Sequence, residues 1–484
     1  MERFITDYIY SEQLFTNHII PMKNLKDLLI LHNLCLYVFV ICCLSASYVK
    51  AQQRVKTSVK PNIVFIMADD LGYGDLACYG SKLNKTPNID LLAKKGIKFT
   101  DFHSNGPMCS PTRAALLTGK YQHRFGEKFE QALNDANPED GLPLEALTIA
   151  ELLKGSGYKT GMYGKWHLGY KPPLFPSNQG FDDFIGLGAG DGDHHSHIDR
   201  VGNKDWWHND KLQMEKGYST DLITKHSVDF IREHKDEPFF LYVPLLAVHF
   251  PWQGPNDPLQ RMENTSYLQE KWGIIPDRKN VQPHMKAMIE SMDEGVGRIM
   301  KTLKDLGLEE NTLVIFTSDN GGYIDYKSGG FENISSNGVL RGQKTDIYEG
   351  GHRVPGIFYW PGKIKPGVKD DKIMSMDMFP TFAALAGATL PQGLKLDGRS
   401  VLPVLLENRK LPERPLFWKI GNKKAIRKEN WKLCMIANNK PALYDLKKDI
   451  GESRDLSAQY PGLVKELLEE YNAWEKDVTA GYKR

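Results

Sequence analysis

The sequence predicts an α/β fold, with a large mixed, mostly parallel sheet flanked by helices and a smaller C-terminal antiparallel sheet with a helix. Three observations predict it. Asn62–Ala68 and residues 239–243 and 313–317 are continuous apolar runs, as strands buried on both faces require. Helical patterns separate these runs, which implies parallel pairing with helices on both sides. After about Pro391 the pattern shortens to brief strands with tight polar links.

The elements follow in order. Residues 28–48 carry no Asp, Glu, Lys or Arg and contain the apolar run 34–44. Lys23 and Lys26 precede that run, and Val49-Lys50-Ala51 follows it. This predicts a secretory signal over residues 1–51, cut after Ala51, with Met22 as an alternative start. A retained membrane anchor and a lipid-modified Cys42 or Cys43 are the other readings. Residues 60–390 form the predicted catalytic domain and 391–484 a C-terminal α+β subdomain. Within the first, Pro87 opens a helix after a candidate cap at Thr86, and Gly96 ends it. Thr148 and Glu151 fit a capping box. Ile289, Met292, Val296, Ile299, Leu303 and Leu306 step along one helix face. In the second, strands are expected at Leu416–Ile420, 424–427 and 431–435, and a helix at about 461–476.

Composition narrows the function. In 484 residues, 62 Lys and Arg face 60 Asp and Glu, a net charge of +2. That balance argues against a nucleic-acid partner and against an acidic disordered chain. Six cysteines in this length exclude a disulfide scaffold. Cys35, Cys42 and Cys43 would leave with the signal, and Cys78 and Cys434 read as free thiols.

Chemistry is expected where buried strands end. The first runs into Asp69-Asp70 and the third into Asp319-Asn320. The carboxyl ends of strands in an open α/β sheet form a ligand crevice. Adjacent carboxylates there repel unless a cation holds them, and oxygen ligands suit Ca²⁺ or Mg²⁺. Each pair alone reads more readily as a solvated turn. The segment 109–119, Cys-Ser-Pro-Thr-Arg followed after a gap by Leu-Thr-Gly, shifts the weight toward a site.

That segment resembles the signature of the type I sulfatases, of the alkaline phosphatase-like superfamily. The resemblance extends from about residue 60 to 480. It includes 62–64 leading into Asp69-Asp70, the Thr-Pro-Asn-Ile-Asp of 86–90, and the Gly-Lys-Trp-His segment holding Lys165 and His167. It also includes 319–322, 340–344 and Glu349-Gly350-Gly351, in the family's order.

The resemblance implies that a separate maturation enzyme converts Cys109 to formylglycine, whose hydrate carries two hydroxyls. One attacks sulfur; loss of the second hydroxyl's proton then expels sulfate. It also implies one Ca²⁺ held by Asp69, Asp70, the matured Cys109, Asp319 and Asn320. Arg113 would stabilise the hydrated aldehyde, and Lys165 and Lys344 would bind sulfate. Asp319 is a further acceptor for the nucleophile's proton. His167 is the expected base and His249 the expected acid for the leaving alcohol, with the split among His167, His249 and Lys344 open.

The expected activity is hydrolysis of a sulfate ester on a carbohydrate such as ulvan, carrageenan or a glycosaminoglycan, by an exported periplasmic or secreted enzyme. No stable membrane association is expected after cleavage. A phosphonate or phosphodiester hydrolase and a catalytically silent sulfated-glycan binder are the alternatives. The segment 191–197, with three histidines, reads as a second metal site, a sugar-pocket wall or a solvated loop. Residues 206–208 and 250–252 offer aromatic faces for sugar stacking or for the core. Asn264 and Asn333 head glycosylation sequons.

Overall fold

The computed structural model describes residues 32–33, 36–37, 60–134, 137–268, 280–326 and 330–482. Apart from 32–33 and 36–37, the predicted signal lies outside the described residues, as does its cleavage point. Among the described residues, no helix is long and apolar enough to cross a membrane.

Residues 60–484 form one compact unit. Its large sheet contains β1 (Asn62–Ala68), β2 (Ile97–His103), β3 (Lys159–Lys165), β4 (Asp183–Leu187), β5 (Trp207–His208), β6 (Lys211–Leu212), β7 (Phe239–Pro244), β8 (Thr312–Ser318), β9 (Arg353–Tyr359), β10 (Gly367–Lys369) and β11 (Ile373–Met374). The order is β10-β2-β9-β8-β1-β7-β3-β4-β5-β6, with β11 beside β2. From β8 through β1, β7 and β3 to β4 every pairing is parallel. β9 runs antiparallel to both β8 and β2, which makes the sheet mixed.

The apolar runs become central strands for a simple reason. In β1, Ile63, Phe65 and Met67 enter the core on one face, while Val64, Ile66 and Ala68 enter the core on the other. Burying each larger side chain contributes roughly 1.5–3 kcal/mol. Helices cover both faces, among them Gln282–Asp305, whose stripe of Ile289, Met292, Val296, Ile299 and Leu303 is buried as expected. Leu306 caps that helix rather than continuing it.

The capping box at Thr148 and Glu151 is present in both directions. Thr86 is the N-cap residue of the helix Pro87–Lys95, but its side chain makes no cap hydrogen bond. Its hydroxyl instead accepts from the Ala77 amide at 3.1 Å and donates to Asp90 at 3.0 Å. The preceding turn and the helix's own Asp90 side chain have taken the hydroxyl that local sequence assigned to the first-turn amides.

The C-terminal sheet is antiparallel in the order β12 (Leu416–Ile420), β13 (Lys423–Lys428), β14 (Trp431–Ile436) and β15 (Ala442–Asp445). β15 was not among the expected strands. The helix Pro461–Val478 packs on this sheet, with Leu467, Tyr471 and Trp474 joining Trp418 and Leu433 in a third core cluster.

Candidate active site

Strand register assembles the acidic half of the site. Ala68 stands opposite Ser318 in the β1–β8 pair, so Asp69-Asp70 and Asp319-Asn320 emerge side by side. The Asp319 amide donates to the Ala68 carbonyl at 3.1 Å, and the Asp70 amide to Asp319 Oδ1 at 3.2 Å. Asp70 has φ +61°, a left-handed turn that Asp tolerates better than most side chains. It redirects the chain directly after the strand.

The neighbouring strands deliver the basic residues. β3 ends at Lys165, which is fully buried and donates from Nζ to Asp69 Oδ2 at 2.6 Å. After β7, the Leu245 amide bonds to Met67 O and the Val248 amide to Asp69 O. This ties the segment to β1 and brings His249 Nε2 to 3.7 Å from Asp70 Oδ2. Lys344 arrives on a loop beyond β8. Its amide bonds to Gly322 O, and the next amide, of Thr345, bonds to Pro107 O just before the cysteine helix. Its Nζ reaches Asp70 Oδ1 at 2.6 Å and Cys109 Sγ at 3.4 Å.

Cys109 is the first residue of the helix Cys109–Thr118, buried, with Sγ 3.4 Å from Asp69 Oδ1. Arg113 follows one turn later, as its spacing predicted. Its guanidinium grips Asp319 Oδ2 from Nε and an amino group at 3.1 and 2.7 Å and donates to the Lys165 carbonyl at 2.8 Å. Arg113 therefore joins three segments as well as facing the cysteine side.

The charges explain the protonation states. Burial, then the nearby Asp319, push the Asp69 pKa up to about 7. Burial works against ionising Asp319 too, but Arg113, Lys165 and Lys344 outweigh it and hold its pKa below the usual range. Burial raises the Cys109 thiol, with Asp69 adding to it, so the sulfur stays protonated. Burial and the Lys165 charge hold His167 and His249 well below the ordinary imidazole value.

The two rings are oriented by backbone carbonyls. His249 Nδ1 bonds to Phe250 O at 2.8 Å, which directs its proton there and leaves Nε2 as the ring atom near Asp70. His167 Nε2 bonds to Leu133 O at 3.0 Å. Its Nδ1 is buried without a hydrogen-bond partner, as a base awaiting a proton requires. His167 has φ +56°, and a Cβ on Gly190 would come 2.4 Å from its Nε2. Glycine at 190 is therefore what lets the chain pass against the ring.

The donor set fits a hard divalent cation. Asp69, Asp70, Cys109 and His249 place ligand atoms within 4.8 Å of one another. Asn320 donates to Asp70 Oδ1 at 2.8 Å while its own Oδ1 is buried without a partner, the acceptor left over when a cation ligand is lacking. Buried carboxylates and an amide oxygen are the ligand types that Ca²⁺ or Mg²⁺ take.

Above these groups lies a cavity of about 450 Å³. Cys109, His167, His249 and Lys344 line it, together with Asp191, Arg200 and Tyr323. Sequence reasoning missed Arg200 and Tyr323, since neither sits in a motif. Most of the segment 191–197 is structural. Asp193 accepts the amides of His195, Ser196, Gln260 and Arg261. His194 bridges Ser219 and the His249 carbonyl. Trp206, Phe250 and Trp252 all belong to the core, and Phe250 also lines the cavity. Asn264 and Asn333 are exposed.

The sulfatase family model matches residues 61–388. The chain belongs to the sulfatase family. A second model, for the N-sulphoglucosamine sulphohydrolase C-terminal region, matches residues 343–477 of this sulfatase. Arylsulfatase A of Homo sapiens is 34% identical to it, covering 84% of this chain and 86% of the relative. An N-acetylgalactosamine-6-O-sulfatase of Bacteroides thetaiotaomicron is 31% identical, covering 86% and 93%. Among solved structures, Ps i-CgsB in complex with k-i-k-neocarrahexaose matches with TM-score 0.76 and 32% identity, over 87% of this chain and 94% of that one. The enzyme is thus a sulfuric ester hydrolase. Cys78 and Cys434 are unpaired, as expected.

Proposed function

We propose that this sulfatase removes sulfate from a sulfated carbohydrate, a polysaccharide such as ulvan, carrageenan or a glycosaminoglycan, or its oligosaccharides. The observation that carries the reading is the cavity whose floor holds Cys109 and Lys344 and whose wall holds His167, His249, Asp191 and Arg200. Its lining joins charged and imidazole side chains to apolar surface from Leu133, Phe250 and Leu268, as a sugar face requires, and two similar proteins carry names or ligands of that class.

The residues have separable tasks. Lys165 and Lys344 converge on the sulfuryl oxygens and stabilise charge as it grows. Arg113 fixes Asp319 and Lys165 at their strand ends, so the oxyanion donors are set before substrate arrives. His167 takes a proton at Nδ1, the ring atom left open by Leu133. His249, with its Nδ1 proton on the Phe250 carbonyl, turns Nε2 toward the leaving-group side, where a proton taken up at Nε2 would pass to the departing alcohol oxygen. Formylglycine at Cys109 supplies the hydroxyl nucleophile that a thiol lacks. Asp69, Asp70, Asp319 and Asn320, with the matured Cys109, would hold a Ca²⁺, which would supply Lewis-acid charge there.

The same reading includes a maturation enzyme acting on Cys109 and export to the periplasm or outside the cell by the segment 1–51. It takes residues 60–390 as the catalytic part and 391–484 as the C-terminal part. The test is desulfation of a panel of defined sulfated oligosaccharides beside model sulfate esters and phosphodiesters. Sulfate release from sugars is expected. A clear phosphodiester preference would overturn the reading.

A further inference from the structure

Lys423 of the C-terminal sheet reaches the turn that carries Lys344. It opens β13 after a tight loop, Gly421-Asn422, and its backbone pairs with Ile420 of β12 and Ile436 of β14. Two neighbouring strands therefore fix where its side chain starts. Nζ donates to the Thr345 carbonyl at 2.9 Å and to Asp346 Oδ1 at 3.0 Å. Those are the two residues that follow Lys344.

That turn is held in a conformation its own sequence disfavours. Thr345 has φ +75°, an outlier for a β-branched residue. Such a residue stays there only where its surroundings over-determine it. Its amide donates to Pro107 O at 2.9 Å, two residues before Cys109. The Asp346 amide donates to Gln343 O at 2.9 Å, and Asp346 Oδ2 accepts the Gln343 amide at 3.2 Å. Gln343 Oε1 in turn accepts the amides of Ile324 and Asp325 at 2.7 and 3.0 Å. A Cβ on Gly351 would come 1.9 Å from the Asp346 carbonyl oxygen, so the chain after Thr345 is packed against backbone. Relaxation of Thr345 is therefore passed back to Lys344 rather than forward to Asp346. The Lys423 and Asp346 side chains are 32% and 29% exposed, so solvent screens their charges. The bond to the Thr345 carbonyl is the part that fixes the peptide.

We propose that Lys423 is a positioning residue for the hydrolysis: by holding the Thr345 carbonyl it keeps the strained turn closed and the Lys344 ammonium beside Cys109. This rests on the role of Lys344 in binding the sulfuryl group and adds to it a task for the C-terminal sheet. Lys344 Nζ has to end near both Asp70 Oδ1 and Cys109 Sγ, at 2.6 and 3.4 Å, and a shift of its backbone spoils both contacts. The C-terminal sheet thus acts on the reaction through one turn without lining the catalytic cavity.

The test is a double-mutant cycle on the full, matured enzyme with 4-nitrophenyl sulfate. Lys423→Met keeps the aliphatic stem and removes the ammonium. It is expected to lower kcat about tenfold and to change KM less, because a small misplacement of a binding group weakens the transition state most. Lys423→Arg, which retains a donor, should recover most of that loss. In a Lys344→Ala background Lys423→Met should change kcat by less than about twofold, since a residue that acts through Lys344 has nothing left to position. Equal loss in both backgrounds would mean a general structural role and overturn the proposal, as would an unchanged kcat in the single variant. The same cycle with Lys423→Gln keeps the proposal open to refutation where Lys423→Met does not fold. If Lys344→Ala alone retains more than half the wild-type rate, the role of Lys344 fails and this proposal with it. A large Lys344→Ala effect beside a silent Lys423→Met defeats the positioning alone.

Discussion

The Lys344 ammonium lies 3.4 Å from the Cys109 sulfur, across 235 residues of chain. It also pairs with Asp70 at 2.6 Å. One buried cation thus touches both the nucleophile position and the acidic cluster. Lys344→Ala is expected to lower kcat on an aryl sulfate by about 10²–10³, the usual loss for one preorganised donor. Lys344→Arg should recover part of it. Steady-state assays showing more than half the wild-type rate for the alanine variant would refute this role.

Cys109 sits in a buried helix start where serine is close in size. Cys109→Ser should therefore fold normally, with Tm within about 2 °C by calorimetry. Its turnover should be abolished, because a serine sulfate ester has no second hydroxyl to release it. Full steady-state rate in this variant would sink the mechanism. Mass spectrometry of the wild-type peptide containing Cys109 should show the aldehyde, and a persistent thiol in the native host would favour a silent binder.

The orphaned Asn320 Oδ1 and the raised Asp69 pKa both call for a divalent cation. Chelation is expected to lower Tm and activity together, and added Ca²⁺ to restore both. At a hundredfold excess over Kd the stabilisation would be about 2.7 kcal/mol. Asn320→Ala should weaken the Ca²⁺ response. A Tm indifferent to chelator and Ca²⁺ would count against the site.

Acid should destabilise the fold through buried neutral histidines. Burial lowers His123 to about 3, and His194 and His197 to about 4. The unfolded chain takes up these protons near pH 6.5, whereas the folded chain resists until about 4 or below. Stability is therefore full above about 6.5 and falls as pH drops through that window, by roughly 1.4 kcal/mol per histidine per pH unit. Calorimetry from pH 7.5 to 4.5 should show a falling Tm; a flat profile would contradict the assignment.

A second ionic cluster stands apart from the catalytic cavity. Arg427 of β13 bonds bidentately to Asp101 of β2, and Lys432 of β14 bonds to Glu349 at 2.9 Å. All four are buried, joining the two sheets. Arg427→Ala should cost about 3–5 kcal/mol by leaving Asp101 buried without its bidentate partner. Denaturant unfolding measures this, and a loss below about 1 kcal/mol would show the cluster to be dispensable.

Much of the site was legible because its chemistry is local in sequence. Asp69-Asp70 and Asp319-Asn320 each follow an apolar run, and a run buried on both faces marks a strand whose end faces a crevice. Cys109 and Arg113 are one helical turn apart in any helix. Arg200 was not legible, because it reaches the cavity wall held by Asp191 and Phe250, which no local pattern connects to it. Thr86 shows the same limit: it holds the N-cap position, but its hydroxyl bonds the Ala77 amide and the Asp90 side chain rather than a first-turn amide.

The sequence by itself determined β1, β7 and β8, three of the C-terminal strands, the family resemblance and the reactive residues, since periodicity and motif spacing are properties of short segments. Only the tertiary structure decided which charges meet. Ala68 opposite Ser318 brings two acidic pairs together, and the loop from Gly322 to Thr345 lowers Lys344 onto Cys109. Those contacts span hundreds of residues, and the low-dielectric interior they share keeps the Cys109 thiol protonated and His167 and His249 neutral.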